Sequence, residues 1–225
     1  TFINQISDRF FGNNVKADDA TSKRYYSAAE SIYFTSNFLP LIKKKLETIL
    51  TEPNYQSFLS NFDILNKESF ELHAKLHNMT FEIARTKVLD KFMNNWQKYD
   101  FENAPLPSSP SPQQPAAAAL FQHCTPPMKT LTSSLTRLYQ SMDENIAEQV
   151  LAHNLFIGLI TMYTEYIRRC LEKMVAKSKK AKQRIWEDIY HFQKFIQQWD
   201  SILANTVNYS PILDYCTQKF GPYTL

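Results

Sequence analysis

Glycine is nearly missing from this chain, with three residues in 225. That shortage excludes the glycine-rich loops that cradle phosphates or a dinucleotide. Little β-branched alternation is left to build sheets either. Cysteine is as sparse: Cys124, Cys170 and Cys216 are odd in number and form no CxxC pair. Neither a disulfide framework nor a zinc site is suggested, and a reducing compartment fits. Long apolar runs are absent too. The longest, residues 155–163, is broken by Gly158 and Thr161 and falls short of the roughly 20 residues that span a bilayer. No signal-peptide pattern opens the chain, and its start at Thr1 reads as a fragment of something longer. A net charge of +3, with 21% charged residues, is too mild to imply nucleic acid. The triplets at Asn78 and Asn208 that match a glycosylation acceptor read as chance, since one lies in a helical stretch and the other precedes Pro211.

What the chain does have is helical periodicity over a 44% hydrophobic composition. Across residues 53–99, Phe58, Phe62, Leu65, Leu72, Leu76, Met79 and Ile83 recur at steps of three and four, with Ser69 in the gap and Leu89, Met93 and Trp96 extending the stripe. No Pro or Gly interrupts it after Pro53, and as one helix it would be roughly 70 Å long. Residues 22–50 keep the same rhythm through Tyr25, Ala28, Ile32, Leu39, Ile42, Leu46 and Ile49, with a kink expected at Pro40. Thr51 to Asn54 would close the two into an antiparallel hairpin. Residues 1–22 suggest a short helix and a loop around Gly12.

Residues 101–127 change character. Seven prolines from Pro105 to Pro127, with Ser108, Ser109 and Ser111, predict an extended connector; an SH3-type ligand is disfavoured because no arginine flanks the PxxP spacings. Thr125 then caps a helix opening on Pro126 and Pro127. Asp143 is expected to cap the next, over 144–178, whose apolar residues occupy most of its circumference. A further helix is expected over 180–205, and a last short one from Pro211 to Gly221. The expectation is therefore all-α, an elongated stacked helical bundle. It divides into a hairpin over 1–100, a Pro/Ser-rich linker over 101–127 and a C-terminal bundle over 128–225.

No catalytic, cofactor or metal site is expected. His73 and His77 stand one turn apart, but no third ligand and no HExxH motif completes them. Asp188 with His191 is a single partial echo of the ExxH pairs of di-metal bundles. The one cluster to weigh is basic: Arg168, Arg169, Lys173, Lys177, Lys179, Lys180, Lys182 and Arg184, partly offset by Glu165 and Glu172. Its plain reading is a solvated helix end, with cations beside the negative end of the dipole. The sharper reading is a landing patch for anionic lipid or an acidic partner, joined by Lys43, Lys44 and Lys45 if the fold brings them alongside.

Three stretches carry a family resemblance. Residues 27–47 include Phe38-Leu39-Pro40-Leu41-Ile42. Residues 56–73 hold Phe62-Asp63, Lys67 and His73. Trp96 leads to Pro105-Leu106-Pro107-Ser108, Cys124 and the helix from Met128 to Tyr139. In these the chain resembles the C-terminal region of the vacuolar protein sorting fifty-four subunits of the Golgi-associated retrograde protein (GARP) complex, a vesicle tether. The resemblance spans roughly residues 21–200. It implies a coiled-coil-like helical rod with no catalytic role, acting in protein transport from endosomes to the trans-Golgi network. The implied location is the cytosolic face of those membranes, as a peripheral protein. Implied partners are the other tether subunits, met through a more N-terminal region, with components of endosome-derived vesicles, small GTPases or SNAREs. A charge-dependent membrane-binding helical domain and a helical regulator of a small GTPase are the competing readings.

Overall fold

Every regular segment among the residues described by the computed structural model, 19–50, 55–103, 124–203 and 207–223, is helical, and none is a strand. The chain is all-α, a helical bundle. In order, α1 is Asp19–Ile49, α2 is Gln56–Ala84, α3 is Asp90–Gln97, α4 is Pro126–Asn145, α5 is Gln149–Lys173, α6 is Lys179–Gln198, α7 is Asp200–Leu203 and α8 is Ser210–Phe220. A five-residue π turn, Arg85–Leu89, joins α2 to α3. The stretches at 1–18 and 104–123, with most of the expected connector and the turn at 51–54, lie outside the described residues.

Two compact units divide these helices, one of Thr1–Ala84 with Ser141–Leu155, the other of Arg85–Gln140 with Phe156–Leu225. In the first, α1 and α2 pack together. Tyr25, Tyr26 and Ala29 are buried on α1, and Leu59, Leu72, Leu76 and Ala84 on α2. Ser69 is buried as well, a small residue that lets the helices approach where the stripe lacks a large one. Lys43 fastens the pair, its ammonium 2.7 and 2.8 Å from the two carboxylate oxygens of Asp63. Helix α1 runs through Pro40 without ending. The expected seam is overturned at its start, because Phe58 and Leu65 are exposed. The apolar stripe of α2 is wider there than a single neighbouring helix can cover.

The break between α4 and α5 also differs from expectation. Helix α4 continues past Asp143 to Asn145, and the turn falls at 146–148. Glu148 takes the capping role, its carbonyl accepting from Leu151 and Ala152. Its own amide donates to the Glu30 carboxylate of α1 at 2.9 Å, an anion well placed at a helix start. Buried Ile146 anchors the turn.

In the second unit the buried set is large and aromatic: Phe92, Trp96, Phe101, Tyr139, Phe156, Tyr163, Trp186, Phe192, Phe195 and Phe220. Helix α5 buries Phe156, Leu159, Ile160, Tyr163, Ile167, Cys170 and Leu171, so more than one of its sides is covered. It ends at Lys173 rather than near residue 178, and Lys219 of α8 takes its last carbonyls, with Nζ 2.6 Å from that of Leu171 and 2.7 Å from that of Glu172. The single long helix expected over 180–205 is broken at Trp199, whose ring packs against Tyr139 and Phe156 with centroids 4.6 and 5.3 Å away. Helix α8 stops at Gly221, where φ is +85°, a conformation that costs glycine least.

Candidate functional site

The residues singled out in the basic cluster all belong to the second unit, on the last turns of α5, the link that follows and the start of α6. They do not form one patch. Arg168 bridges Glu165 at 2.9 Å and Glu172 at 2.6 Å, and Arg169 reaches Glu165 at 3.2 Å. The two guanidiniums pull the Glu165 carboxyl down to about 2. Two of the three cluster cations on α5, Arg168 and Arg169, are thereby neutralised within the helix. Arg184 is 3% exposed, and its guanidinium donates to the carbonyl of Phe101 at 2.9 Å. It is a packing residue, and a landing patch loses it. An arginine closing a lysine-rich run carries no mark of burial in sequence, so only the fold reveals this.

Five lysines remain: Lys173, Lys177, Lys179, Lys180 and Lys182. Among the described residues no ion pair is formed by any of them. Their place corrects the dipole reading. Only Lys173 lies in the last turn of α5, where a cation is favoured. Lys179, Lys180 and Lys182 open α6 instead, at the positive end of its dipole, with no acidic residue in that turn to offset them. Ser178 starts the helix, its hydroxyl accepting from the Ala181 amide at 3.0 Å. The link itself is held by Glu102, whose carboxylate accepts from the amides of Lys177 and Ser178 at 2.7 and 3.2 Å. Glu102 sits in a turn made by Asp100, which accepts from the amides of Glu102 and Asn103. Cations concentrated on a braced link and a helix start can attract an anionic surface. Lys43, by contrast, is consumed by Asp63 and Glu47 in the first unit.

Asp188, read in sequence as half of a metal echo, is the buried hub of the second unit. One carboxylate oxygen accepts from the Thr125 amide at 2.6 Å; the other accepts from the Thr125 hydroxyl and the Trp96 indole N–H, each at 2.6 Å. The residue thus joins α3, the start of α4 and α6. Burial pushes its carboxyl up to about 7, against the downward pull of those donors. His191 lies one turn on and meets the Thr132 hydroxyl at 3.2 Å. Burial lowers its imidazole to about 4. In the first unit, His73 and His77 lie tilted to each other with ring centroids 4.8 Å apart, and burial, then the charge of His73, lowers His77 to about 4. Among the described residues no three His, Cys, Asp or Glu side chains are grouped to hold a metal ion.

The thiols of Cys124 and Cys216 are buried and pushed up to about 12 by burial, and that of Cys170 is raised for the same reason. Among the described residues no helix is long and apolar enough to cross a membrane. No family model, curated protein or solved structure matches this chain.

Proposed function

We propose that this chain is a non-catalytic interaction module of a multisubunit vesicle tether of the GARP type. It would act at the cytosolic face of the trans-Golgi network, where endosome-derived carriers arrive. The observation that carries the reading is the set of large apolar side chains left exposed on α2: Phe58, Ile64, Leu65 and Phe70. Large apolar side chains left exposed in this number on one helix mark a surface that another protein covers. The resemblance in residues 21–200 supports the same assignment. Its test is recovery of the tether subunits from cells with and without this chain. Loss of carrier-side components on deletion is the expected outcome. An unchanged set of recovered proteins and unchanged carrier capture overturns the reading.

A second reading, direct binding to anionic membrane, is favoured by the five lysines that form no ion pair among the described residues. Flotation with phosphatidylserine vesicles separates the two. A membrane binder floats without any partner, and salt releases it.

A further inference from the structure

The exposed apolar residues of α1 are ordered, and their order points to an occupant. At 100° per residue, Phe34, Phe38, Leu41, Ile42 and Ile49 fall within an arc of about 80–100° on the side of the helix turned away from buried Tyr25, Ala29 and Ser36. The same arc before residue 34 carries Arg24, Ser27 and Ser31, all exposed and polar. An apolar stripe therefore begins abruptly at Phe34 and runs about 22 Å to Ile49. It is a seam of coiled-coil type, stepping 34, 38, 41, 45 and 49, with Lys45 its one charged member.

We propose that this stripe pairs antiparallel with the same stripe of a second copy of the chain, about a two-fold axis between Leu41 and Ile42. Three features argue for a copy over another occupant. The first is register. The axis sets Phe34 against Ile49, Leu41 against Ile42 and Phe38 against Lys45. The lysine's alkyl stem and ammonium meet an aromatic ring rather than another charge. The second is charge. Between Phe34 and Ile49 the arc holds one charged residue, Lys45, whose opposite number is Phe38, so no like charges oppose each other. The third is area. Phe38 is 56% exposed, Leu41 60% and Ile49 69%. With large apolar side chains of roughly 150–200 Å², the five residues present about 500 Å² per copy and about 1,000 Å² across a pair. Covered in full, that area stands at the lower edge of specific interfaces, which makes the pairing a weak one. It does not depend on the tether assignment.

Sedimentation velocity on the 225-residue chain across the micromolar range tests the pairing. The wild type is expected to pass from monomer to dimer. Leu41→Glu, at an exposed position, is expected to stay monomeric with an unchanged helical spectrum and melting temperature. Ile42→Cys tests the register. It is expected to give a covalent dimer on mild oxidation, while Arg24→Cys, on the same side but below the stripe, does not. A wild type that stays monomeric throughout, a Leu41→Glu variant that dimerises as well as the wild type, or equal cross-linking at the two cysteines overturns the proposal. Vesicle flotation lost in Leu41→Glu by a monomeric wild type also overturns it, and hands the stripe to membrane.

Discussion

At the scale of single residues, Asp188 carries the most structural weight per atom. Replacing it by alanine leaves the Thr125 amide, the Thr125 hydroxyl and the Trp96 indole without their acceptor. Buried donors stripped in this way cost about 1–3 kcal/mol each, so Asp188→Ala is expected to lower stability by about 3 kcal/mol or more. Chemical denaturation followed by tryptophan fluorescence checks it, since Trp96, Trp186 and Trp199 all lie in the second unit. The same residue shapes the pH response. Folded Asp188 keeps its proton up to about 7, whereas an unfolded aspartate loses it near 3.8, so its contribution is full below about 4 and fades as pH rises to 7. His191 works in the opposite sense. Folded, it stays neutral down to about 4, while an unfolded histidine takes a proton below 6.5, so its contribution is full above 6.5 and lost as pH falls to 4. The two slopes largely offset in the second unit. Asp188→Asn is expected to unmask the histidine, giving a fluorescence-detected melting temperature that climbs from pH 4 to 6.5 more steeply than in the wild type. Asp188 was visible in sequence only as a polar residue one turn from a histidine. Its partners lie 63 and 92 positions away, beyond the reach of local spacing.

At the scale of elements, helix identity was legible and helix ends were not. Periodicity located the segments that became α1, α2, α4, α5 and α6 because an apolar face leaves its period in the chain. Ends depend on tertiary partners that a window of sequence does not contain. Lys219 terminates α5 from 46 or more positions downstream, and Glu30 steadies the start of that helix from far upstream. The π turn shows the same limit. The buried positions Thr80, Ala84, Leu89, Phe92 and Trp96 include a step of five, which the extra residue of a π turn absorbs and a regular seam does not anticipate. The basic link yields a prediction at this scale. Because Lys179, Lys180 and Lys182 stand at the start of α6, reversing all three to glutamate is expected to stabilise the helix by about 1 kcal/mol in total rather than weaken it. Thermal melting reads that sign. Loss of vesicle flotation in the same variant would assign the lysines to membrane, and retained carrier capture in cells would leave them a solvated surface.

At the scale of the whole molecule, each compact unit is built from two separate stretches of chain. A hairpin over 1–100 is an attractive fragment from sequence, since the apolar rhythm there is unbroken. Yet Met142, Ile146, Leu151, Ala152 and Leu155, all buried, fall within the part that the first unit takes from 141–155. A fragment of residues 1–100 is therefore expected to be helical but to melt broadly and at lower temperature than the intact chain. Circular dichroism on both pieces measures the difference. Conversely, Leu76→Asp in the intact chain buries an unpaired charge at a 1% exposed position and is expected to unfold the first unit.

That interleaving also sets a clock on biosynthesis. Residue 84 leaves the ribosome well before residue 155, and at roughly 5–20 residues per second the nascent hairpin waits several seconds for its missing stretch. During that interval the greasy flank of α1 is displayed beside an unfinished core. Chaperone engagement of this polypeptide should consequently be heaviest on nascent chains arrested between these two points, and should fall once residue 155 has cleared the exit tunnel.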